Sequence, residues 1–281
     1  MPFAEPRSSP PTSVPASLSD EALQRQAAHL IARARVVGLV CAAGALEIAL
    51  ISLAGWASRV DALVRWHPAW PSMAPLTGVL VALMAASLGM PSLVDAASRA
   101  RLRVVIGTTA ALLALVHLTL SKFVPDHPAQ DFLFPEALRE LGASGWMAGA
   151  SSAGVFALGA GLVAMSYRRV WWAQGCALAA VAIGLVGIAT YFVGSPYTTF
   201  LPPYRTMALP AALAVFLLGL AQLAAFPQQG VLPLLVGADA GAYLARKLLP
   251  FAVLVPFWLR GGRASPCAAR PQHRPPCIRA A

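Results

Sequence analysis

Two side chains in this sequence carry titratable groups where a bilayer would otherwise meet hydrocarbon. Glu47 lies twelve residues beyond Arg35, about 18 Å of helical rise, and His117 lies fourteen beyond Arg103, about 21 Å. An ionisable group at that depth is costly, so it marks a functional position by default. Similar depth lets the two meet across neighbouring helices as a proton- or ligand-responsive pair, because imidazole titrates near neutrality. The plainer reading is a polar clamp that fixes helix packing. Gln174 and Gln222 both fall toward one side of the membrane, where a hydrogen bond between helices would satisfy both amides.

Loop aromatics supply the second candidate set: Trp56, Trp66, Trp70, Phe132, Phe134, Tyr197, Phe200 and Tyr204, interleaved with prolines and Arg205. Such rings anchor at the headgroup level. Gathered on one face they would also make a floor for a lipid, a quinone or another amphipathic ligand, with Trp70, Tyr204 and Arg205 foremost. His67, His127, Asp126 and Asp131 lack the tight spacing of a metal site, and Cys267, His273 and Cys277 are too few for zinc. There is no kinase histidine box, phosphate-binding glycine loop, nucleophile elbow or zinc-binding histidine pair. Catalytic, cofactor-binding and metal residues are therefore all expected to be none.

The elements that must position these groups follow from composition. Of 281 residues, 58% are hydrophobic and 11% charged, too little polar surface to cover a soluble globule. Apolar runs at about 36–55, 73–90, 104–120, 146–165, 171–192 and 207–225 approach the roughly 20 residues that a helix needs to cross hydrocarbon. They are apolar on every side, which excludes the alternation of a β-barrel. The net charge of +10 comes from arginines scattered at run ends, which speaks against nucleic acid and for anionic lipid. Cys41 and Cys176 sit inside apolar runs and form no disulfide framework. No apolar core precedes a cleavage site near the amino terminus, so no removable signal peptide is expected.

The runs repeat. Arg35-Val36 leads to Met73-Ala74, Arg103-Val104 to Met147-Ala148, and Arg169-Val170 to Met207-Ala208. Val155-Phe156-Ala157-Leu158-Gly159 and Val215-Phe216-Leu217-Leu218-Gly219 each begin eight residues after their methionine. A triplicated helical hairpin is the simplest source of that pattern. The expected fold is an all-α integral membrane bundle of six transmembrane helices in three tandem hairpins. Residues 1–18 form a disordered amino terminus, 19–35 a lead-in helix capped by Ser19, and 36–225 the membrane domain. Residues 226–259 form a juxtamembrane segment and 260–281 a basic, proline-rich tail.

With the amino terminus in the cytoplasm, eleven basic residues from Arg7 to Lys247 stay inside and five face outward, which satisfies the positive-inside rule. A seventh apolar run, Leu248–Leu259, rises only about 18 Å and contains Pro250 and Pro256, so it is expected at the cytoplasmic interface or partly inserted.

Met73-Ala74-Pro75-Leu76-Thr77, Phe216-Leu217-Leu218-Gly219-Leu220-Ala221 and the Gly241–Pro250 approach to the seventh run resemble the membrane input region of bacterial sensor proteins. Those are histidine kinases with PAS domains and some diguanylate cyclases. Over residues 33–257 the resemblance implies a sensory input module in an inner membrane, a homodimer, and signalling through an output domain. The family continues through two further helices into that output. Here the chain turns into the arginine- and proline-rich tail, which reads as a frameshifted remnant, so the signal would pass to a separate output protein. Two rivals stand: a small transporter or channel, which repeats and Glu47 suggest, and a lipid-modifying membrane enzyme, which would need acids, histidines or serines clustered near one interface.

Overall fold

The computed structural model describes residues 16–90, 95–123, 133–143, 145–193, 207–226 and Gln229. Among them all regular structure is helical: α1 (Ala16–Ser58), α2 (Asp61–Val64), α3 (Pro75–Gly89), α4 (Ala96–Phe123), α5 (Pro135–Glu140), α6 (Gly149–Ser166), α7 (Val170–Val193) and α8 (Leu209–Ala224). The lead-in and first span are one helix of 43 residues, about 65 Å long, and it starts at Ala16 and not at Ser19. The seventh run, the tail, and residues 1–15 lie outside the described residues.

Each hairpin pairs a long helix with a shorter one, α1 with α3, α4 with α6 and α7 with α8. The second members α3, α6 and α8 touch one another and form the inner layer. Each first member then lies in a groove between two inner helices: α1 on α3 and α8, α4 on α6 and α3, α7 on α8 and α6. The result is a cyclic arrangement of three hairpins, and its slightest outer seam is that between α3 and α4. Inner helices bury small side chains, among them Ala85 on α3, Ala157 on α6 and Ala214 on α8, while outer helices leave Val40, Leu50, Val105, Leu112 and Trp172 exposed. Apolar surface outward and small residues inward is the packing expected where lipid is the solvent.

Among the described residues four helices are long and apolar enough to cross a membrane: 31–58 within α1, 96–120 within α4, α6, and 170–192 within α7. The apolar helices α3 and α8 have 15 and 16 residues, about 22–24 Å of rise. They are shorter than their apolar runs for a visible reason. The repeated Met-Ala pairs are not helical: Ala74, Ala148 and Ala208 share φ near −60° and ψ near 140° and sit just before the helix. Pro75 and Pro210 then occupy the first turns of α3 and α8, where a missing N–H costs nothing. All three alanine carbonyls accept the first helical bond, from Gly78, Ser152 and Ala212. The sequence repeat is a repeat of backbone conformation.

Close approach fixes the crossings. A Cβ on Gly159 would lie 2.6 Å from the Gly107 carbonyl, and one on Gly107 would lie 2.7 Å from that of Gly159, so α4 and α6 cross backbone to backbone. Gly184 plays the same part in the third hairpin, where a Cβ would come within 2.7 Å of the Phe216 nitrogen.

Candidate functional site

The three Met-Ala corners are all latched by a polar side chain from the first helix of the same hairpin. Trp56 Nε1 donates to the Met73 carbonyl at 2.9 Å, and the Tyr191 hydroxyl donates to the Met207 carbonyl at 2.6 Å. In the middle hairpin the polarity is reversed, for His117 Nε2 accepts from the Met147 N–H at 3.1 Å. Met73, Met147 and Met207 are all buried, so these backbone groups find their partners in protein and not in water.

Histidine has a defined tautomer here. Because Nε2 is an acceptor, the ring is neutral with its proton on Nδ1, which faces the Ser152 hydroxyl at 3.1 Å. Ser152 in turn donates to the Ala148 carbonyl at 3.2 Å. Trp146 closes the site with its ring edge-on at 5.2 Å. His117 is 2% exposed and Ser152 fully buried. The arrangement ties α4 to the start of α6 through one titratable side chain, and a proton on Nε2 would set donor against donor.

Several sequence expectations need correction. Glu47 does not meet His117: it stands exposed on α1, whereas His117 points between α4 and α6. Equal depth was the whole basis for pairing them, and α1 and α4 occupy different grooves of the ring. Gln174 and Gln222 do not bond each other either. Gln222 donates to the Leu158 carbonyl at 2.7 Å, using space that Gly161 leaves open, and Gln174 donates to the Gln229 carbonyl at 2.6 Å. Each amide donates instead to a backbone carbonyl. Trp56 is no headgroup anchor but a buried latch, 1% exposed.

Trp70 is half-buried, with His67 at 5.3 Å on one side and Tyr191 edge-on at 4.9 Å on the other. It thereby joins the first hairpin's loop to the third hairpin's latch. Tyr204 and Arg205 lie outside the described residues, as do Phe132, Tyr197 and Phe200. Near the Trp56 corner, Arg59 reaches both Glu136 and Glu140 on α5, and Arg65 pairs with Asp61 at 2.8 Å. Among the described residues no three of His, Cys, Asp and Glu come together as a metal-binding group.

The latches were hidden in the sequence because tryptophan, histidine and tyrosine share no pattern. Position offers only a partial signal, since Trp56 and Tyr191 precede their methionines by 17 and 16 residues but His117 precedes Met147 by 30. Set beside known protein families, characterised proteins and solved structures, the chain matches none of them.

Proposed function

We propose that this chain is the membrane-embedded, non-catalytic sensory input module of a bacterial signalling system. It would sit in the inner membrane with six spans, its amino terminus in the cytoplasm, and hand its state to a cytoplasmic output protein. The carrying observation is the unequal latch: three equivalent corners, two closed by an indole and a phenol, which have no basic nitrogen to protonate, and one by an imidazole, which has. The arginine bias and the resemblance to sensor input regions support the same reading.

The mechanism is a population shift. A stimulus moves a two-state bundle only if it favours one state over the other, and charging His117 does so because Nε2 can no longer accept from Met147. Release of α4 from the α6 corner changes how the two helices cross at Gly107 and Gly159, and α6 carries the change to the arginine-rich turn at Arg168.

Two experiments test this. Deleting the gene should alter transcription of a discrete gene set on external acidification, and restoring it with His117→Gln should leave that response absent. Solute uptake by proteoliposomes holding the purified chain would instead favour a transporter. For topology, Cys267 and Cys277 should resist an impermeant thiol reagent added outside intact cells, and labelling there would refute six spans.

A further inference from the structure

Arginines at the two ends of the bundle are treated differently. At the latch end, Arg59 and Arg65 are matched by Glu136, Glu140 and Asp61. At the opposite end, Arg35, Arg99, Arg103 and Arg168 line a single cavity of about 820 Å³, and none of the four has an ion pair among the described residues. The Arg103 Nε donates to the Ser87 carbonyl at 3.2 Å, while the Arg99 Nε is buried with no hydrogen-bond partner. The nearest described acid along α4, Asp95, is engaged by the Ser98 N–H at 2.8 Å.

Arg168 is the hub of this basin. It also lines two adjoining cavities, one of about 560 Å³ with Arg35 and one of about 290 Å³ with Arg99 and Arg103. Its φ is +56°, a left-handed conformation in which glycine is usual and another residue costs roughly 1 kcal/mol. The Arg168 N–H bonds the Met165 carbonyl and the Arg169 N–H that of Ala164, so the α6–α7 turn would close as well or better with glycine. Arginine there spends backbone strain to put a guanidinium at the cavity. Leu39, Leu88, Met165 and Phe226 supply an apolar wall beside it, and the cavity takes in the ends of α3 and α4, whose seam is the slightest in the ring.

Four guanidiniums around one space, with no acid paired to them among the described residues, call for an anion, and their planar forks fit the oxygens of phosphate. The adjoining apolar wall at a membrane-facing seam fits an acyl chain. We propose that this basin binds the phosphate group of an anionic phospholipid, with its chain lying along Leu39 and Leu88.

The test is thermal unfolding of the full chain in neutral detergent, titrated with phosphatidylglycerol, phosphatidylcholine or inorganic phosphate. Phosphatidylglycerol at a hundredfold excess over Kd should raise Tm by about 5 °C or more, with no comparable rise from the other two. Arg168→Gly relieves the turn while deleting the hub, so it should fold as stably as the parent in detergent yet bind phosphatidylglycerol at least tenfold more weakly. Arg99→Gln should weaken it likewise, and Arg59→Gly, the same strain relief at the other end, should leave the response whole. Equal stabilisation by phosphatidylcholine, a full shift from inorganic phosphate alone, or undiminished binding by Arg168→Gly would each overturn the proposal. None of these results bears on the His117 latch, so this site and the sensory reading stand or fall separately.

Discussion

Replacing His117 by phenylalanine keeps a planar ring in the site and removes both nitrogens. Ser152 retains its own bond to the Ala148 carbonyl, so the group left unmet is the Met147 N–H, on a residue only 3% exposed. One buried donor without a partner costs about 1–3 kcal/mol, a factor of roughly 5–150 in the equilibrium between closed and open corners. His117→Gln offers an amide oxygen to Met147 and cannot take a proton, so it should recover most of that loss and abolish the pH response. Spin labels at Leu115 and Phe156, both exposed on α4 and α6, would report the corner in lipid nanodiscs after the four native cysteines, Cys41, Cys176, Cys267 and Cys277, are replaced. The parent should show one label distance at neutral pH and a second population on acidification. His117→Phe should show both at every pH, and His117→Gln one throughout. If His117→Gln tracked pH as the parent does, the imidazole would not be the switch and the mechanism would fail.

Gly159→Ala and Gly175→Ala make the same chemical change with opposite expected signs. The first drives a Cβ to 2.6 Å from the Gly107 carbonyl and 2.9 Å from the Ala111 nitrogen, backbone atoms that cannot rotate aside, and should cost about 1–3 kcal/mol. The second meets nothing within 4 Å and should gain up to about 1 kcal/mol of helix propensity, both read by unfolding in detergent. Trp56→Phe deletes the indole N–H and strands the Met73 carbonyl, for a loss of about 1–3 kcal/mol, and amide exchange should rise around residues 73–78. Asp95 caps α4, and its hydrogen bonds with Ser98 hold its carboxyl below the ordinary 3.8. A carboxyl lowered by folding stabilises fully above its unfolded value and loses that contribution as pH falls through the folded one. Exchange at Ser98 and Arg99 should therefore accelerate, after correction for intrinsic rates, below about pH 4 in the parent, and Asp95→Asn should remove that dependence.

Much of the architecture was legible because lipid imposes a simple code. Apolar length marks helices, and the repeated Met-Ala marks corners whose three alanines share one backbone conformation. Lateral arrangement was not legible. Depth along a helix follows from counting residues, but neighbours depend on which groove each helix occupies and on rotation about its axis, which is why Glu47 and His117 were wrongly joined. Trp56 was misread for a related reason: an aromatic at the end of an apolar run looks the same whether it meets headgroups or turns inward to a carbonyl seventeen residues away. His117 stands out in the sequence as an ionisable group in an apolar run, but its bonds to the Met147 N–H and the Ser152 hydroxyl reach residues 30 and 35 positions away that no local pattern records.

The middle hairpin is the one in which a broken latch has the furthest reach. The α4 helix packs closely along α6 and only slightly against α3, where Arg103 bonds the Ser87 carbonyl, so beyond that bond its place depends on two contacts with α6, the glycine crossing and the His117 corner. Both contacts restrain the same relative motion, and loosening one leaves less for the other to hold. A double-mutant cycle of His117→Phe with Gly159→Ala should then show a coupling energy of about 0.5 kcal/mol or more. His117→Phe with Gly219→Ala is the control. That Cβ would collide with Val181 at 2.7 Å and the Ala177 carbonyl at 3.0 Å, a comparable injury placed between α7 and α8, and the two losses should add within about 0.3–0.5 kcal/mol. Additivity in both cycles would mean that the crossing and the corner are independent, and that opening the corner does not move α4.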